Sequence, residues 1–457
     1  MTRLSTALVA LAAASAAQPQ NYPYQPQMPA PQWNAPAPAA PAPLARAQAQ
    51  PIEPVDLPAS IDQGIDLIYI DPDIEPEVKR RSGLMDTMNL EEWTGAPIDL
   101  FTSVNPAYTE LRRGLMKYSQ RWGDLPQVEI PTGAVLKPGS TDARVPLLRK
   151  RLGLADGTKY DAALSKAVAD FQQAHGMKAD GIAGNGTLQS LNLGPDHFQR
   201  VIILNMERAL RLPTSDDKGR YIMIDAGAAR LYMYENGKPV DSMRVIVGNA
   251  QTQTPMMAAQ LRYVSLNPYW NVPPDLVVSL VAKNVLDQGL TYLTDREYQI
   301  LSDWTDNATL VDPATVDWQS VAAGKTEIRL RRGPGPWNSM GQMKFMLPND
   351  LGIYLHDVPE PSKAAFGTDD RWISNGCVRL EDAKRLQTWL FRGDAPTASG
   401  TPDERIDMPT PVPIYMTYFT AEPRADGIAF RTDHYNRDAP LLARVRLPQD
   451  LQTAAVE

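Results

Sequence analysis

Hydrophobic and polar positions follow a helical period up to about residue 210 and a period of two after residue 220. The alternation predicts strands over Tyr221–Ile224, Arg230–Tyr234 and Met243–Gly248. The second and third are joined through Asn236-Gly237, a dipeptide that favours a tight hairpin turn. We therefore predict an antiparallel β domain that begins near residue 220.

The β pattern is interrupted over residues 274–330. Pro274 begins a predicted helix that ends at Gly289, and Thr294 with Glu297 forms a capping pattern for a second helix. A helical insertion in a sheet domain is typical of a lid beside a site, so we predict a cap here. The alternation then predicts further strands at Met343–Met346, Gly352–His356, Pro413–Phe419 and Ile428–Phe430.

Helical patterns dominate the first half of the chain. Tyr108, Leu111, Leu115 and Tyr118 recur every three or four residues and predict one apolar helix face within a scaffold region at 59–124. We assign this region no chemistry.

A compact unit is predicted at 125–200. Thr158 with Asp161 is a candidate capping pair for a helix that carries Leu164, Val168 and Phe171 on one face. Short helices surround a glycine-rich loop in this stretch, and we predict a small three-helix domain.

The N-terminal stretch has the order of a cleavable signal peptide at 1–17. Arg3 precedes an apolar run that ends in Ala14-Ser15-Ala16, and the run is too short to span a membrane. We therefore expect export to the periplasm, with a retained N-terminal helix as the alternative. Residues 18–58 are rich in proline and alanine and are predicted to form a semi-rigid tether. A proline-rich ligand segment is the alternative there.

Charge and composition exclude some partners. The 457 residues carry a net charge of −8, with acids and bases interspersed, whereas nucleic-acid-binding proteins concentrate basic residues on one face. His197 and His434 have no Cys or His at ligand spacing, and the chain has no His-Glu-X-X-His motif, so a zinc site is disfavoured. The sequence leaves the oligomeric state open.

Cys377 is the only cysteine, so it cannot form an internal disulfide. A thiol is a useful nucleophile at neutral pH only if a histidine or a helix N-terminus assists it. His356 ends a predicted strand, and we predict a helix after Cys377, with Leu380 and Leu390 on its inner face. The Gly376 and Cys377 amides are candidate oxyanion donors. From these residues alone, an inert buried thiol is equally acceptable.

A resemblance to a known family favours catalysis. His356 followed by Ser374-Asn375-Gly376-Cys377-Val378-Arg379 resembles the signature of the YkuD-type L,D-transpeptidases, although many members have histidine where this chain has Asn375. Further segments resemble the large YcbB-like branch, which has a capping insertion: Asn267–Pro274, Arg332–Pro336, Gly341–Phe345 and Gln253-Thr254-Pro255. Residues 125–200 resemble the peptidoglycan-binding module found beside many cell-wall enzymes, notably in Asp170–Gln173 and Asp180–Gly184.

The resemblance implies an α+β multidomain protein. It would have a mostly antiparallel β catalytic domain at 215–440 with a helical cap at 274–330, a three-helix peptidoglycan-binding domain and a helical N-terminal scaffold. The implied reaction is formation of 3→3 cross-links between peptidoglycan stem peptides, without a cofactor or metal, and the implied inhibitors are carbapenems. Glycan strands and stem peptides are the implied partners.

The resemblance also implies roles for individual residues. Cys377 is the expected nucleophile and His356 the base, oriented by the backbone carbonyl of Asp357, while Gly376 and Ser374 support the loop. Further candidates are side chains that contact substrate: Arg379, Tyr354, Trp270 and Asn375. For Arg379, anchoring of the loop is an equal alternative, and for Tyr354 and Trp270 the alternative is core packing.

Two other functions stay open at this point. Water in place of the acceptor amine would make the protein an L,D-carboxypeptidase, or an endopeptidase that releases a wall-anchored protein. A scaffold that binds peptidoglycan and has an inert β domain is the non-enzymatic alternative.

Overall fold

A computed structural model describes residues 68–69, 103–305, 307–347, 349, 351–425 and 427–447. The predicted signal peptide, the tether and most of the scaffold region before residue 103 lie outside the described residues. Within the described chain, no helix combines the length and the apolar character needed to cross a bilayer.

A ten-stranded sheet forms the centre of the molecule. Nine strands follow one another in the order Ile68–Tyr69, Met257–Leu266, Glu404–Thr417, Arg220–Asp225, Arg230–Glu235, Lys238–Gly248, Val378–Leu380, Leu355–His356 and Met343–Met346. Trp372–Ser374 pairs beside Lys238–Gly248, outside this order. Met257–Leu266 also pairs with Met343–Met346, so the sheet closes on itself. Most pairings are antiparallel, as predicted, and the exceptions include the parallel pair that carries the site.

The first hairpin of the sheet follows the predicted alternation. Asn236 and Gly237 adopt φ values of 52° and 72°, as a two-residue turn between twisted strands requires. Ile222, Leu231 and Met233 are fully buried, so one face of this hairpin enters the main core.

The insertion contains strands as well as helices, which corrects the prediction of a helical cap. Trp270–Asn271, Arg329–Arg332 and Tyr298–Leu301 form a separate three-stranded sheet. The helical segments of the insertion are Pro274–Leu276, Val277–Ala282, Lys283–Gln288, Thr291–Thr294, Pro313–Thr315 and Trp318–Ala322. These elements enclose a hydrophobic core that is distinct from that of the large sheet.

The capping pattern predicted at Thr294 and Glu297 is wrong. Thr294 ends a one-turn helix, Glu297 has a positive φ of 57°, and a strand begins at Tyr298. The local pattern is overridden because Tyr298 and Ile300 are buried in the insertion core. The first predicted helix does end at Gly289, which has a φ of 80°.

Helices lie along the chain between the first strand of the sheet, Ile68–Tyr69, and the second, Arg220–Asp225. Their bounds are Pro106–Tyr118, Ser119–Gly123, Arg144–Arg151, Ala162–Ala174 and Asn185–Ala209. The last is interrupted at Gly194, where φ is 79° and Pro195 follows. Asp161 caps its helix by accepting from the Leu164 amide, and Leu164, Val168 and Phe171 are buried as the periodicity predicts. Helical segments after the insertion are Glu360–Gly367, Ala383–Leu390 and Ala439–Leu442.

The helical unit packs against a C-terminal hairpin formed by Ala421–Arg424 and Gly427–Phe430. The His175 ring stacks on Phe171 at 3.8 Å and on Phe430 at 5.2 Å between centroids. A Cβ atom on Gly176 would lie 2.3 Å from the Phe430 carbonyl oxygen, so only glycine fits this approach. We call this contact the aromatic junction.

Candidate active site

His356 occupies the middle of a row across three neighbouring strands. Its strand, Leu355–His356, pairs His356 with Lys344 on one side and with Arg379 on the other. Residues that pair in this way have side chains on the same face of a sheet. The imidazole therefore lies between two cationic residues.

Cys377 and Tyr354 precede this row along their strands. The Val378 amide donates to the Tyr354 carbonyl at 3.1 Å, which brings Cys377 alongside Tyr354. Positions two apart in a strand point to the same face, so thiol and phenol share the face of Arg379 and His356. The Tyr354 and His356 rings lie 6.0 Å apart between centroids. Two residues 21 positions apart in the chain, Cys377 and His356, thus belong to adjacent rows of one surface.

The His356 imidazole is neutral at physiological pH. Its side chain is 3% exposed, and Nδ1 donates to the Asp357 backbone carbonyl at 2.6 Å, which is the hydrogen bond implied by the family resemblance. Burial, followed by the charge of Arg379, lowers the pKa of His356 to about 3, and Lys344 acts in the same direction. The Asp357 and Ser339 backbone groups act in the opposite direction. A neutral imidazole with Nδ1 protonated has a lone pair on Nε2 and is able to accept a proton.

The Cys377 thiol is half-buried and contacts the Gly352 carbonyl oxygen at 3.4 Å. Burial raises its pKa above the ordinary value, while Tyr354, Arg379 and Lys344 lower it. Burial outweighs these opposing contributions, so the pKa of the thiol is raised overall. Nucleophilic attack requires proton transfer as the substrate reacts.

The helix predicted after Cys377 is present, but it begins after Leu380, which was expected on its inner face. Val378–Leu380 is a strand, because Val378 and Leu380 alternate into the core. The helix that follows is Ala383–Leu390, and Asp382 caps it by accepting from the Arg385 amide at 2.9 Å. A helix dipole is felt mainly within the first turn, so it does not assist Cys377.

The turn before the thiol is fixed by its own side chains. Ser374 Oγ donates to the Cys377 carbonyl at 2.7 Å and accepts from the Gly376 amide at 3.2 Å. Gly376 has a φ of 105°, which a residue with a Cβ rarely adopts. The loop-supporting position predicted for Ser374 is thus observed, and the oxyanion role of Gly376 stays a prediction.

Comparison with known proteins places this site in a family. Residues 219–414 match the family model of the L,D-transpeptidase catalytic domain, a range that includes both Cys377 and His356. This stretch of the chain is similar to an L,D-transpeptidase catalytic domain. Residues 149–191 match a model described as a peptidoglycan binding domain, within the predicted 125–200 unit. The finer resemblance to the YcbB-like branch stays a prediction.

Relatives of the L,D-transpeptidase domain come from several bacteria. A Haemophilus influenzae protein, named provisionally as an L,D-transpeptidase, is 34% identical over 185 residues, or 40% of this chain. The chain spans only 36% of that relative's length. The solved structure of an L,D-transpeptidase from Mycobacterium smegmatis is similar at 10% identity and a TM-score of 0.22, over 44% of this chain and 59% of that chain. One from Xylanimonas cellulosilytica has 16% identity and a TM-score of 0.18, over 63% and 98%.

Sequence reasoning missed the residues that support the catalytic turn from behind. Thr254 Oγ1 donates to the Gly376 carbonyl at 2.7 Å and accepts from the Gly248 amide at 2.9 Å. Tyr435 donates to the Gly248 carbonyl at 2.7 Å, and Arg437 donates to the Thr254 carbonyl at 3.0 Å. We call Thr254, Tyr435 and Arg437 the loop brace. Thr254 belongs to a segment that the family resemblance named, Gln253-Thr254-Pro255. No sequence pattern indicated a supporting role for Tyr435 or Arg437.

The four predicted substrate-binding residues lie in different surroundings. Tyr354 adjoins the thiol, and Asn375 is exposed on the catalytic turn. Arg379 is partly buried beside Cys377, and burial lowers the pKa of its guanidinium. Trp270 is 7% exposed and packs in the insertion core, 6.4 Å from the Tyr298 ring. The position of Trp270 favours the packing alternative.

A cleft of about 1020 Å³ opens next to Asp357, and its lining includes neither His356 nor Cys377. Its lining includes Gln342, Asp357, Lys363 and Glu381. The Asp357 carboxylate accepts from the Gln342 amide at 3.0 Å, so this side chain supports the neighbouring strand. Among the described residues, no group of three or more His, Cys, Asp or Glu side chains is arranged to hold a metal ion.

Proposed function

We propose that this protein is an exported peptidoglycan L,D-transpeptidase that uses Cys377 as its nucleophile and His356 as its general base. The donor is a stem tetrapeptide, and the acceptor is the side-chain amine of a diamino acid on a neighbouring stem. The product is a 3→3 cross-link in the cell wall, made in the periplasm. The matched catalytic domain supports the reaction class.

In the acylation step, Cys377 Sγ attacks the carbonyl carbon of the third stem residue. His356 Nε2 takes the thiol proton as the S–C bond forms, and the resulting imidazolium gives it to the leaving nitrogen as the C–N bond breaks. Terminal D-alanine leaves as a free amino acid, and a thioester remains on the enzyme. The neutral states of both groups suit this order, because the proton moves only when substrate is present.

In the second step, the acceptor amine attacks the thioester carbonyl. His356 takes a proton from the attacking nitrogen and returns it to the sulfur as the C–S bond breaks. The Asp357 carbonyl holds Nδ1–H throughout, which fixes the ring and the tautomer. Arg379 and Lys344 disfavour a lasting imidazolium, so proton return is favoured in both steps.

One observation carries the proposal. A thiol and a neutral, oriented imidazole lie in adjacent rows of one sheet surface. An inert thiol would not need the hydrogen bond that orients the imidazole. The peptidoglycan-binding domain supports the choice of cell-wall polymer as substrate.

The test compares wild type with Cys377→Ala and Cys377→Ser on purified disaccharide-tetrapeptides. We expect wild type to form a cross-linked dimer with release of D-alanine, and both variants to form none, as followed by mass spectrometry. Dimer formation by Cys377→Ala would contradict the proposal. Release of D-alanine without dimer would indicate the hydrolytic alternative. No turnover, together with no mass increase on exposure to a carbapenem, would favour the scaffold.

A further inference from the structure

Lys344 is the neighbour of His356 on the side away from the strand of Cys377. The two residues are directly paired across antiparallel strands, so their side chains share the face on which the reaction is proposed to occur. The Lys344 side chain is only 15% exposed. An ammonium that is largely shielded from water attracts an approaching anion more strongly than an ammonium in bulk water does.

The Lys344 ammonium has unused bonding capacity. In the described chain its contacts are the Asp403 carboxylate at 3.7 Å and the Tyr354 ring, whose centroid is 5.7 Å away. Neither contact is within hydrogen-bond distance, whereas an ammonium has three N–H donors. Asp403 also accepts from the Ser265 hydroxyl and is 44% exposed, so it is shared and partly hydrated.

The ammonium also influences the reacting groups. Its charge lowers the pKa of both His356 and Cys377, so its field reaches both residues. Asp403 is held in place by its amide, which donates to the Asn267 carbonyl at 2.8 Å. The lysine side chain is therefore largely buried beside the base, next to an acidic residue whose backbone is held in place.

The chemistry of the donor supplies an anion at this place. His356 must reach the nitrogen of the leaving amino acid in order to protonate it. In a tetrapeptide, the free carboxylate of that same amino acid is one carbon atom beyond the nitrogen. A group bound next to His356, on the side opposite the nucleophile, is thus expected to meet this carboxylate.

We propose that Lys344 binds the free terminal carboxylate of the donor peptide and thereby selects donors whose scissile bond precedes the last residue. This inference rests on the proposed function, because it assumes that His356 protonates the leaving nitrogen. A longer peptide, or one with a C-terminal amide, lacks the carboxylate at this position and binds less well.

The test measures binding in the Cys377→Ala background, where no turnover occurs. The probes are a stem tetrapeptide with a free terminal acid and the same peptide with a terminal carboxamide, titrated by calorimetry. We expect the acid to bind about ten- to a hundredfold more tightly than the amide. Lys344→Met should remove this preference, and Lys344→Arg should keep most of it because the charge remains.

Lys325→Met is the matched control, since Lys325 is an exposed lysine of the insertion. It should leave the acid preference unchanged. In the active enzyme, Lys344→Met should raise KM for the acid donor and change kcat little. Thermal unfolding of each variant separates loss of binding from loss of folding, and rescue by arginine shows that charge is the cause.

The outcomes separate this inference from the proposed function. Equal affinity for acid and amide in the lysine-containing protein, or a preference that survives Lys344→Met, would overturn the role of Lys344 while leaving transpeptidation intact. Absence of binding to both peptides would also count against Lys344. The proposed function would instead be contradicted by the turnover results given above, which do not depend on Lys344.

Discussion

His356 in the catalytic domain and His175 at the aromatic junction share nearly the same local geometry. Each is buried, and each donates from Nδ1 to a backbone carbonyl, at 2.6 Å and 2.7 Å respectively. Burial is the main reason that the pKa of each imidazole falls to about 3.

Their neighbours differ. His175 hydrogen-bonds through Nε2 to the Tyr118 hydroxyl at 3.1 Å, and its ring lies among aromatic side chains. His356 lies between Lys344 and Arg379, in the row next to a thiol. A buried, oriented and neutral histidine is therefore a structural arrangement in one region and a candidate base in the other, and the adjacent groups decide which.

The largest expected effects come from replacing each of the two histidines with alanine. His356→Ala should lower the rate of Cys377 acylation by about a thousandfold, because the general base is lost. Mass spectrometry of the thioester over time measures this rate. A change below tenfold would mean that another group takes the thiol proton.

His175→Ala should have the opposite profile. It should lower the free energy of unfolding by about 2–4 kcal/mol, because a buried ring and two hydrogen bonds are lost, and leave the acylation rate per folded molecule nearly unchanged. Urea unfolding measures the first quantity. A large loss of acylation in a folded His175→Ala protein would break the distinction between the two regions.

A smaller effect is expected on how the free energy of unfolding depends on pH. Unfolded histidine binds a proton below about pH 6.5, whereas each folded imidazole stays neutral until about pH 3, so stability is lost as pH falls through this window. Each histidine contributes a slope of about 1.4 kcal/mol per pH unit. His175→Phe should therefore gain stability relative to wild type by that slope as pH falls from 6 to 4. Parallel curves from urea unfolding would contradict the low pKa of His175.

The smallest effect concerns the loop brace. Thr254→Val removes the hydroxyl that joins Gly376 to Gly248 while keeping the shape of the side chain. We expect kcat to fall about tenfold with little change in KM, because the thiol is less well positioned in the transition state. Thr254→Ser keeps the hydroxyl and should retain most activity. Equal activity of the valine and serine variants would show that the hydroxyl does not position the turn.

Local patterns in the sequence predicted much of the sheet. Alternation located the strands of the first hairpin, and Asn236-Gly237 located their turn, because both signals act over a few residues. The resemblance singled out the pair Cys377 and His356. Their adjacency could not be derived from spacing, because it depends on parallel pairing between distant strands.

Long-range packing explains where prediction failed. Thr294 and Glu297 carry a helix-start pattern, yet Tyr298 is drawn into the insertion core as a strand. Leu380 was predicted to belong to the helix after Cys377, because apolar residues continue from it into Ala383–Leu390. Leu380 belongs instead to the strand Val378–Leu380, in which Val378 and Leu380 are completely buried. Lys344 was also missed, because a single lysine in an alternating strand has no local signature of its neighbours across the sheet.

The loop brace determines how far toward the C-terminus the chain must extend to keep the cysteine turn in place. The family match stops at residue 414, but Tyr435 and Arg437 donate to Gly248 and Thr254, and Thr254 in turn donates to the turn that holds the nucleophile. A fragment cut at residue 414 would contain every proposed reacting side chain and would lack two of those that keep the cysteine turn in shape. Fusions and truncations of this enzyme should therefore preserve the chain at least through Arg437.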